Sequence, residues 1–558
     1  WLKNYQAGVN SEIDPSQYHS LVEYAESCFN EFNDRTAYVN MGKSISYQAL
    51  DHLSQCFANY LRCELKLKKG DRVAIMLPNV LQYPVAMVGI HRAGLVVVNL
   101  NPLYTARELE YVLNDCEAST IIVLTNFAHT LQKALPKTQI KHIILTQIGD
   151  LLGTIKGNII NFVVKNFKKM VPNYHLPQAE HFNKVLTLGK RHTYQKPNLT
   201  HEDIAYLQYT GGTTGRAKGA ILTHRNMVAN VLQATEWINP LVQEKLEGGI
   251  ITALPLYHIF SLTANCLTFL KVGIPNILIT NPRDIPGFVK ELKKHPFAVI
   301  TGVNTLFNAL LHNKDFASCD FSKFRFALGG GMAVQKAVAQ KWQKVTGIPL
   351  VEAYGLTEAS PAVTINPMDT KEFNGSIGLP IPSTEISIRD DHENELPIGE
   401  SGELCVKGPQ VMRGYWNDEE KTKLVFTEDG WLKTGDIATI DAQGYIRIVD
   451  RKKDMITISG FKVYPNEVED VIASIPGVKE VAIIGIPDSE HGERVRAYVV
   501  KSDETLTEQT ILTTCKENLT HYKIPKEIVF RAELPKTNVG KVLRRALRED
   551  ILREHSLS

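Results

Sequence analysis

The sequence predicts an α/β protein. It has a large N-terminal domain with two parallel-type sheet subdomains and a small β-barrel-like subdomain, and a mobile α+β C-terminal domain. Three observations carry this. Through the first 440 residues short β-branched runs alternate with longer helical patterns, among them Val73-Ala74-Ile75-Met76-Leu77, Val96-Val97-Val98, Thr120-Ile121-Ile122-Val123-Leu124, His142-Ile143-Ile144-Leu145 and Ile250-Ile251-Thr252-Ala253-Leu254. Such alternation gives parallel sheets covered on both faces. Over residues 402–445 the texture changes to short strands and Gly-marked turns, as in Gly402-Glu403-Leu404-Cys405-Val406-Lys407-Gly408, which suits a small barrel or meander. The charged turn Asp450-Arg451-Lys452-Lys453-Asp454 then precedes a tail with its own strands and helices. Domains 1–450 and 451–558 are expected, the second free to move as a unit on a polar hinge.

At 558 residues the chain exceeds one core, since about 150 residues per domain is usual. Hydrophobic residues make up 44% and charged residues 22%, which excludes disordered, collagen-like and coiled-coil chains. Lys and Arg total 62 against 60 Asp and Glu, so no overall field draws the protein to nucleic acid, and no such partner is expected. The eight cysteines show no C-x-x-C pair and no Cys/His cluster, which argues for a reducing cytoplasm over zinc or disulfides. Residues 73–90 and 248–270 are long and uncharged, but Pro78, Asn79, Gln82 and Pro84 interrupt the first and Pro255, His258 and Asn265 the second. Each reads as strand, turn and buried helix, because a broken polar backbone is costly in hydrocarbon.

The densest chemical signal is Tyr209-Thr210-Gly211-Gly212-Thr213-Thr214-Gly215-Arg216-Ala217-Lys218-Gly219, directly after the strand-like Ile204-Ala205-Tyr206-Leu207-Gln208. Small residues leave backbone N–H groups free to approach an oxyanion, the threonine hydroxyls add donors and Lys218 adds charge, so the loop suits a polyphosphate. It is not a Walker A loop, because Lys218 follows Ala217 and precedes Gly219. A plain Gly/Thr turn would explain two or three of these residues, not the run.

Three further motifs follow in order: Tyr354-Gly355-Leu356-Thr357-Glu358, Thr434-Gly435-Asp436 and Pro535-Lys536-Thr537-Asn538-Val539-Gly540-Lys541. With the loop they resemble the motif set of the adenylate-forming superfamily of acyl-CoA synthetases, adenylation domains and luciferases. The stretches Asp450-Arg451-Lys452-Lys453-Asp454-Met455-Ile456 and Ser459-Gly460-Phe461-Lys462-Val463-Tyr464-Pro465-Asn466-Glu467 resemble the fatty acyl-CoA synthetase signature. Asn101-Pro102-Leu103-Tyr104-Thr105 and Leu254-Pro255-Leu256-Tyr257-His258-Ile259-Phe260 extend the similarity to bacterial long-chain fatty acid-CoA ligases over almost the whole chain.

The resemblance implies that ATP and a fatty acid give acyl-adenylate and pyrophosphate, after which the thiol of CoA displaces AMP. Thr210, Gly211, Gly212, Thr213, Thr214, Gly215 and Lys218 would hold phosphates. Glu358, beside Thr357, would ligate Mg²⁺, a hard cation suited to carboxylate and phosphate oxygens. Tyr354, within Glu352-Ala353-Tyr354-Gly355, would lie against adenine, with room left by Gly330 and Gly331. Asp436 would accept both ribose hydroxyls, two acceptor oxygens matching a vicinal diol, and Arg451 would face ribose or phosphate. His258 would position the substrate carboxylate, with a satisfied core histidine as the competing reading. Lys541 would bridge that carboxylate and the α-phosphate during adenylation, Lys453 would be the hinge, and Ser459 with Gly460 would flank the path of CoA.

An apolar tunnel for the acyl chain is expected along residues 255–270 and 299–311, which lack charge. Residues 154–170 carry Lys156, Lys165, Lys168 and Lys169 with no acid, and Ile159, Val163, Phe167 and Met170 on one helical face. This resembles a helix lying in a membrane interface, which leaves peripheral contact with the cytoplasmic face of the inner membrane open beside the alternative of a solvated surface helix. Three rival functions are weighed. A ligase loading a carrier protein would carry an insertion after the hinge, whereas Asp454-Met455-Ile456-Thr457 runs on without one. Nothing predicts a luciferase substrate, and a non-enzymatic binder needs neither Glu358 nor Lys541.

Overall fold

The β-branched runs form the centres of two sheets, and the computed structural model describes residues 1–210, 217–459, 461–488, 490–537 and 540–556. One sheet has nine strands in the order Leu379–Pro380, Ala362–Ile365, Leu350–Gly355, Phe326–Gly329, Phe297–Gly302, Gly249–Thr252, Asn276–Leu278, Thr36–Asn40 and Lys43–Ser46. Its interior is parallel, and antiparallel pairs occur only toward the two ends. The other has seven strands, Glu180–His181, His142–Thr146, Thr120–Leu124, Arg72–Met76, Val96–Asn99, Ile204–Thr210 and Lys218–Thr223, parallel except for the last pair. Strands such as Phe297–Gly302 and Thr120–Leu124 are buried at every position, as parallel strands sandwiched between helices must be.

Residues 73–90 and 248–270 resolve into strand, turn and helix, and no helix among the described residues is long and apolar enough to cross a membrane. Of the two forms expected for the third unit, the structure has the meander and not a closed barrel. Glu385–Arg389, Gly402–Lys407, Leu432–Ile440 and Ile446–Arg451 form an antiparallel sheet whose outer strands do not pair with each other. Four strands are too few to close around a filled interior. One edge instead leans on the nine-strand sheet through a Gly378–Ile446 bridge.

The C-terminal unit is α+β. Phe461–Val463, Ile456–Ile458, Gly492–Lys501 and Val478–Asp488 are antiparallel, and Glu527–Arg531 joins Gly492–Lys501 in parallel. Helices Pro465–Ala473, Glu508–Asn518 and Arg544–Ser556 accompany them. Val463, Val468, Ile483, Val495 and Ile511 make a core of their own, the mark of a domain that packs independently.

Candidate active site

The two parallel sheets present their strand ends to one cleft of about 1840 Å³, the place where open α/β sheets bind ligands. Ile204–Thr210 brings Tyr209 and Thr210 to it, Leu350–Gly355 brings Glu352, Ala353, Tyr354 and Gly355, and the turn after Phe326–Gly329 brings Gly330 and Gly331. The four-strand sheet contributes Asp436 and Arg451, which sit opposite each other in register. Thr357, Glu358, His258, Lys453 and Lys541 also line it. These fifteen positions, all within motifs read from the sequence, are brought to one cleft by the fold.

Lys541 reaches the cleft from the C-terminal domain. The hydroxyl of Thr305 donates to the carbonyl of Gly540 at 3.2 Å, and Thr537 Oγ1 accepts from the Lys541 N–H at 3.0 Å. Gly331 lies at φ +77°, where glycine is favoured, and a Cβ there would stand 3.4 Å from Cε of Lys541. Burial, together with the nearby Arg451 cation, pushes the Lys541 ammonium down to about 8. It remains mainly charged at neutral pH and is poorly solvated, so an anion placed beside it gains more than it would in water.

His258 caps the turn that follows it, its Nδ1 accepting from the Phe260 N–H at 3.3 Å. Burial, and then Lys541, push it down to about 3. The ring is neutral with its proton on Nε2, a donor that can orient a carboxylate and a poor base at neutral pH. Glu352 accepts from the Val334 N–H at 3.0 Å, and burial pushes its carboxyl up to about 8.

Asp436 and Glu358 are each held by a tyrosine. Tyr354 donates to Asp436 Oδ2 at 2.5 Å while Arg451 Nε lies 3.4 Å from Oδ1. Burial, then Asp436, raises the Tyr354 hydroxyl far above its ordinary range, so it stays a donor. Each carboxylate oxygen keeps a second lone pair for a hydroxyl. Tyr415 donates to Glu358 Oε1 at 2.7 Å and carries Lys218 Nζ 4.8 Å over its ring. Tyr415 is the residue that sequence reasoning missed; its only signal was an aromatic pair, Tyr415-Trp416, after Gly414. Lys218 is not on the cleft wall itself and reaches the site through this ring.

Among the described residues no group of three or more His, Cys, Asp and Glu could hold a metal. A single carboxylate, Glu358, suits magnesium, which takes one or two protein carboxylates and completes its shell with water and substrate phosphates. Gly211, Gly212, Thr213, Thr214, Gly215 and Gly460 lie outside the described residues. Ser459 is exposed, bonded to His491 Nδ1 at 3.0 Å, and away from the cleft.

The cleft continues into an apolar arm lined by Ala234, Ile238, Ala264, Phe269, Val299, Phe326, Leu328 and Ile365. The expectation for residues 255–270 fits this arm, through Thr263, Ala264, Thr268 and Phe269. That for 299–311 fits only at its start. Leu306, Phe307 and Leu310 pack into a core with Trp342 instead, the Phe307 and Trp342 rings being 4.8 Å apart, because helix Asn304–Leu311 lies on the other face of the sheet from the arm.

Comparison with known proteins agrees with this geometry. The AMP-binding enzyme family matches residues 25–416, and the AMP-binding enzyme C-terminal domain matches residues 467–541. A long-chain-fatty-acid–CoA ligase of Escherichia coli O6:H1 is 57% identical over 550 residues, covering 99% of this chain and 98% of its own. One of Haemophilus influenzae is 52% identical over 552 residues, again with 99% and 98% covered. Among solved structures, ATP-bound MatB from Rhodopseudomonas palustris superposes with a TM-score of 0.80 at 28% identity, covering 95% of this chain and 98% of that one. The anthranilate CoA ligase AuaEII with anthranoyl-AMP shares the fold, with a TM-score of 0.85 at 23% identity, covering 98% and 100%.

Glu352 supplies a pH test. The folded protein holds its proton up to about pH 8, whereas the ordinary value is 4.5. The folded state therefore binds more protons between those values, and the contribution of Glu352 to stability falls as pH rises through that window. Glu352→Gln keeps the shape without the titrating proton. Urea midpoints of the variant should decline less steeply than those of the parent across this window, and parallel curves would mean that Glu352 is ionised in the fold.

Proposed function

The chain belongs to the AMP-binding enzyme family, and from that premise we propose that it is an AMP-forming long-chain fatty acid-CoA ligase of the cytoplasm. The observation that carries the reading is the meeting of Lys541, His258, Asp436 and Glu358 in one cleft that continues into an apolar arm. The names of the relatives supply the substrate class.

In the first step a carboxylate oxygen of the fatty acid attacks the α-phosphorus of ATP, the bond to the β,γ-phosphates breaks and pyrophosphate leaves. Two anions must approach, and the desolvated Lys541 ammonium is suited to lie between them. The neutral His258 orients the carboxylate by donating from Nε2, Asp436 accepts from ribose, and the apolar arm takes the chain. Mg²⁺ held by Glu358 would neutralise charge on the phosphates of ATP. In the second step the sulfur of CoA attacks the acyl carbon, the C–S bond forms as the C–O bond to AMP breaks, and the thiol proton is released.

The two steps call on different faces of the C-terminal domain. Ser459 is exposed and away from the cleft into which Lys541 points, so the CoA path assigned to Ser459 and Gly460 would need residues 451–558 to turn about Lys453 relative to 1–450. Such domain motions gate many enzymes. Lys541→Ala should slow pyrophosphate release by on the order of 10²-fold or more, as loss of a transition-state charge contact does. The same variant should turn over supplied acyl-AMP and CoA at near the parental rate. Equal loss in both half-reactions would refute the rotation.

Peripheral membrane contact is the second part of the reading. Ile155, Ile159, Phe162, Phe167 and Met170 are 50–80% exposed. The opposite side of their helix is fixed to the protein: a Cβ on Gly157 would stand 2.2 Å from the Gly149 carbonyl oxygen, and Asn161 Oδ1 accepts from the Gly149 N–H at 2.8 Å. A rigid helix with its apolar side outward and lysines beside it suits an anionic lipid surface, where buried apolar area drives binding. Replacing Phe162 and Phe167 with Ser should lower cosedimentation with phosphatidylglycerol vesicles several-fold while turnover of detergent-dispersed palmitate stays near normal. Unchanged cosedimentation would make this a solvated surface helix.

A further inference from the structure

Tyr415 stands between two opposite charges that the reaction needs apart. Its hydroxyl donates to Glu358 Oε1 at 2.7 Å, and Lys218 Nζ sits 4.8 Å over its ring. The backbone around it is tied to both neighbours. The Met412 N–H donates to the Glu358 carbonyl at 2.8 Å, the Trp416 N–H donates to the Gly219 carbonyl at 2.8 Å, and Tyr415 itself bridges to Ala220. One short segment thus fixes the strand that carries Lys218 and the turn that carries Glu358. The Tyr415 N–H donates to Thr422 Oγ1 at 2.8 Å, which holds the segment from behind.

An ammonium on a flexible stem and a carboxylate that touch the same side chain would pair if nothing intervened, and in a partly desolvated site that pair would be strong. The tyrosine prevents it in a way a polar spacer would not. Its ring face attracts the cation, its hydroxyl satisfies the carboxylate, and burial, then Glu358, raises the hydroxyl far above its ordinary range so that it remains a donor. Neither charge pairs with the other, although Asp418 also acts on Lys218 and Lys541 on Glu358. Both stay available for a triphosphate and its counter-ion.

We propose that Tyr415 is a positioning residue that keeps Lys218 and Glu358 from pairing with each other, so that the cleft receives ATP with both charges uncommitted. This rests on the reading of the cleft as an ATP site. Tyr415→Phe keeps the ring between the charges, whereas Tyr415→Leu removes both the cation-binding face and the hydroxyl.

The test is equilibrium binding of ATP in EDTA, with no metal and no turnover, to the full chain and to Tyr415→Leu, Tyr415→Phe, Glu358→Gln and the two double variants, each checked for an unchanged circular dichroism spectrum. Tyr415→Leu should weaken ATP about tenfold as Lys218 is drawn to Glu358. Adding Glu358→Gln should restore most of that affinity, a gain well beyond the one that Glu358→Gln gives in the parent, where it only relieves repulsion of the triphosphate. In the Tyr415→Phe background the gain should match the parent, because the ring still separates the charges. Such a cycle isolates the coupling between the sites. A merely structural tyrosine would leave the gain the same in all three backgrounds, and that result overturns the proposal. Absence of ATP binding by the parent chain would overturn the ATP reading and the proposal with it, and is distinguished by that single measurement.

Discussion

The active cleft depends on one constraint: charges that serve a substrate must be held in a partly buried cleft without cancelling one another. Lys541, Asp436 and Glu358 line a cleft closed on several sides by apolar sheet and helix, and Arg451 lies beside Asp436 at 3.4 Å. In such surroundings an unsatisfied charge is costly and a satisfied one is no longer available. Two tyrosines resolve the conflict. Tyr354 and Tyr415 each give a carboxylate one neutral donor, at 2.5 and 2.7 Å, which satisfies the anion without cancelling it.

The architecture follows from the same need. Parallel strands end together, so the turns after Phe326–Gly329 and Leu350–Gly355 converge with Thr210 from the second sheet. The four-strand sheet then brings Asp436 and Arg451 in as a register pair. Lys541 comes from a domain with its own core. A cation carried on a separate body can be brought in for one step and withdrawn for another, which a residue rooted in the two large sheets could not do.

Much of this was legible in the sequence because the decisive signals are local. β-branched runs marked the sheet centres within a residue or two, as at Thr120–Leu124, and Gly-rich or Thr-Gly-Asp turns marked the strand ends that form the site. What escaped was set by tertiary contact. Barrel and meander stayed open for the small sheet because Gly-spaced strands look alike whether their edges join or rest on another sheet. Helix Asn304–Leu311 was as apolar as a tunnel wall but packs on Trp342, since apolar periodicity does not tell a cavity from a core. Tyr415 was silent because its importance lies in two neighbours, one 57 positions away in the chain.

The central claim is that this cleft joins a fatty carboxylate to the α-phosphorus of ATP. The direct measurement is one turnover with palmitate labelled by ¹⁸O in both carboxylate oxygens, with ATP, Mg²⁺ and CoA, followed by mass analysis of the nucleotide product. The account predicts AMP carrying one ¹⁸O atom and unlabelled pyrophosphate, because the oxygen that attacks phosphorus stays with AMP when sulfur displaces it. ADP as the product, or AMP without the label, would contradict it.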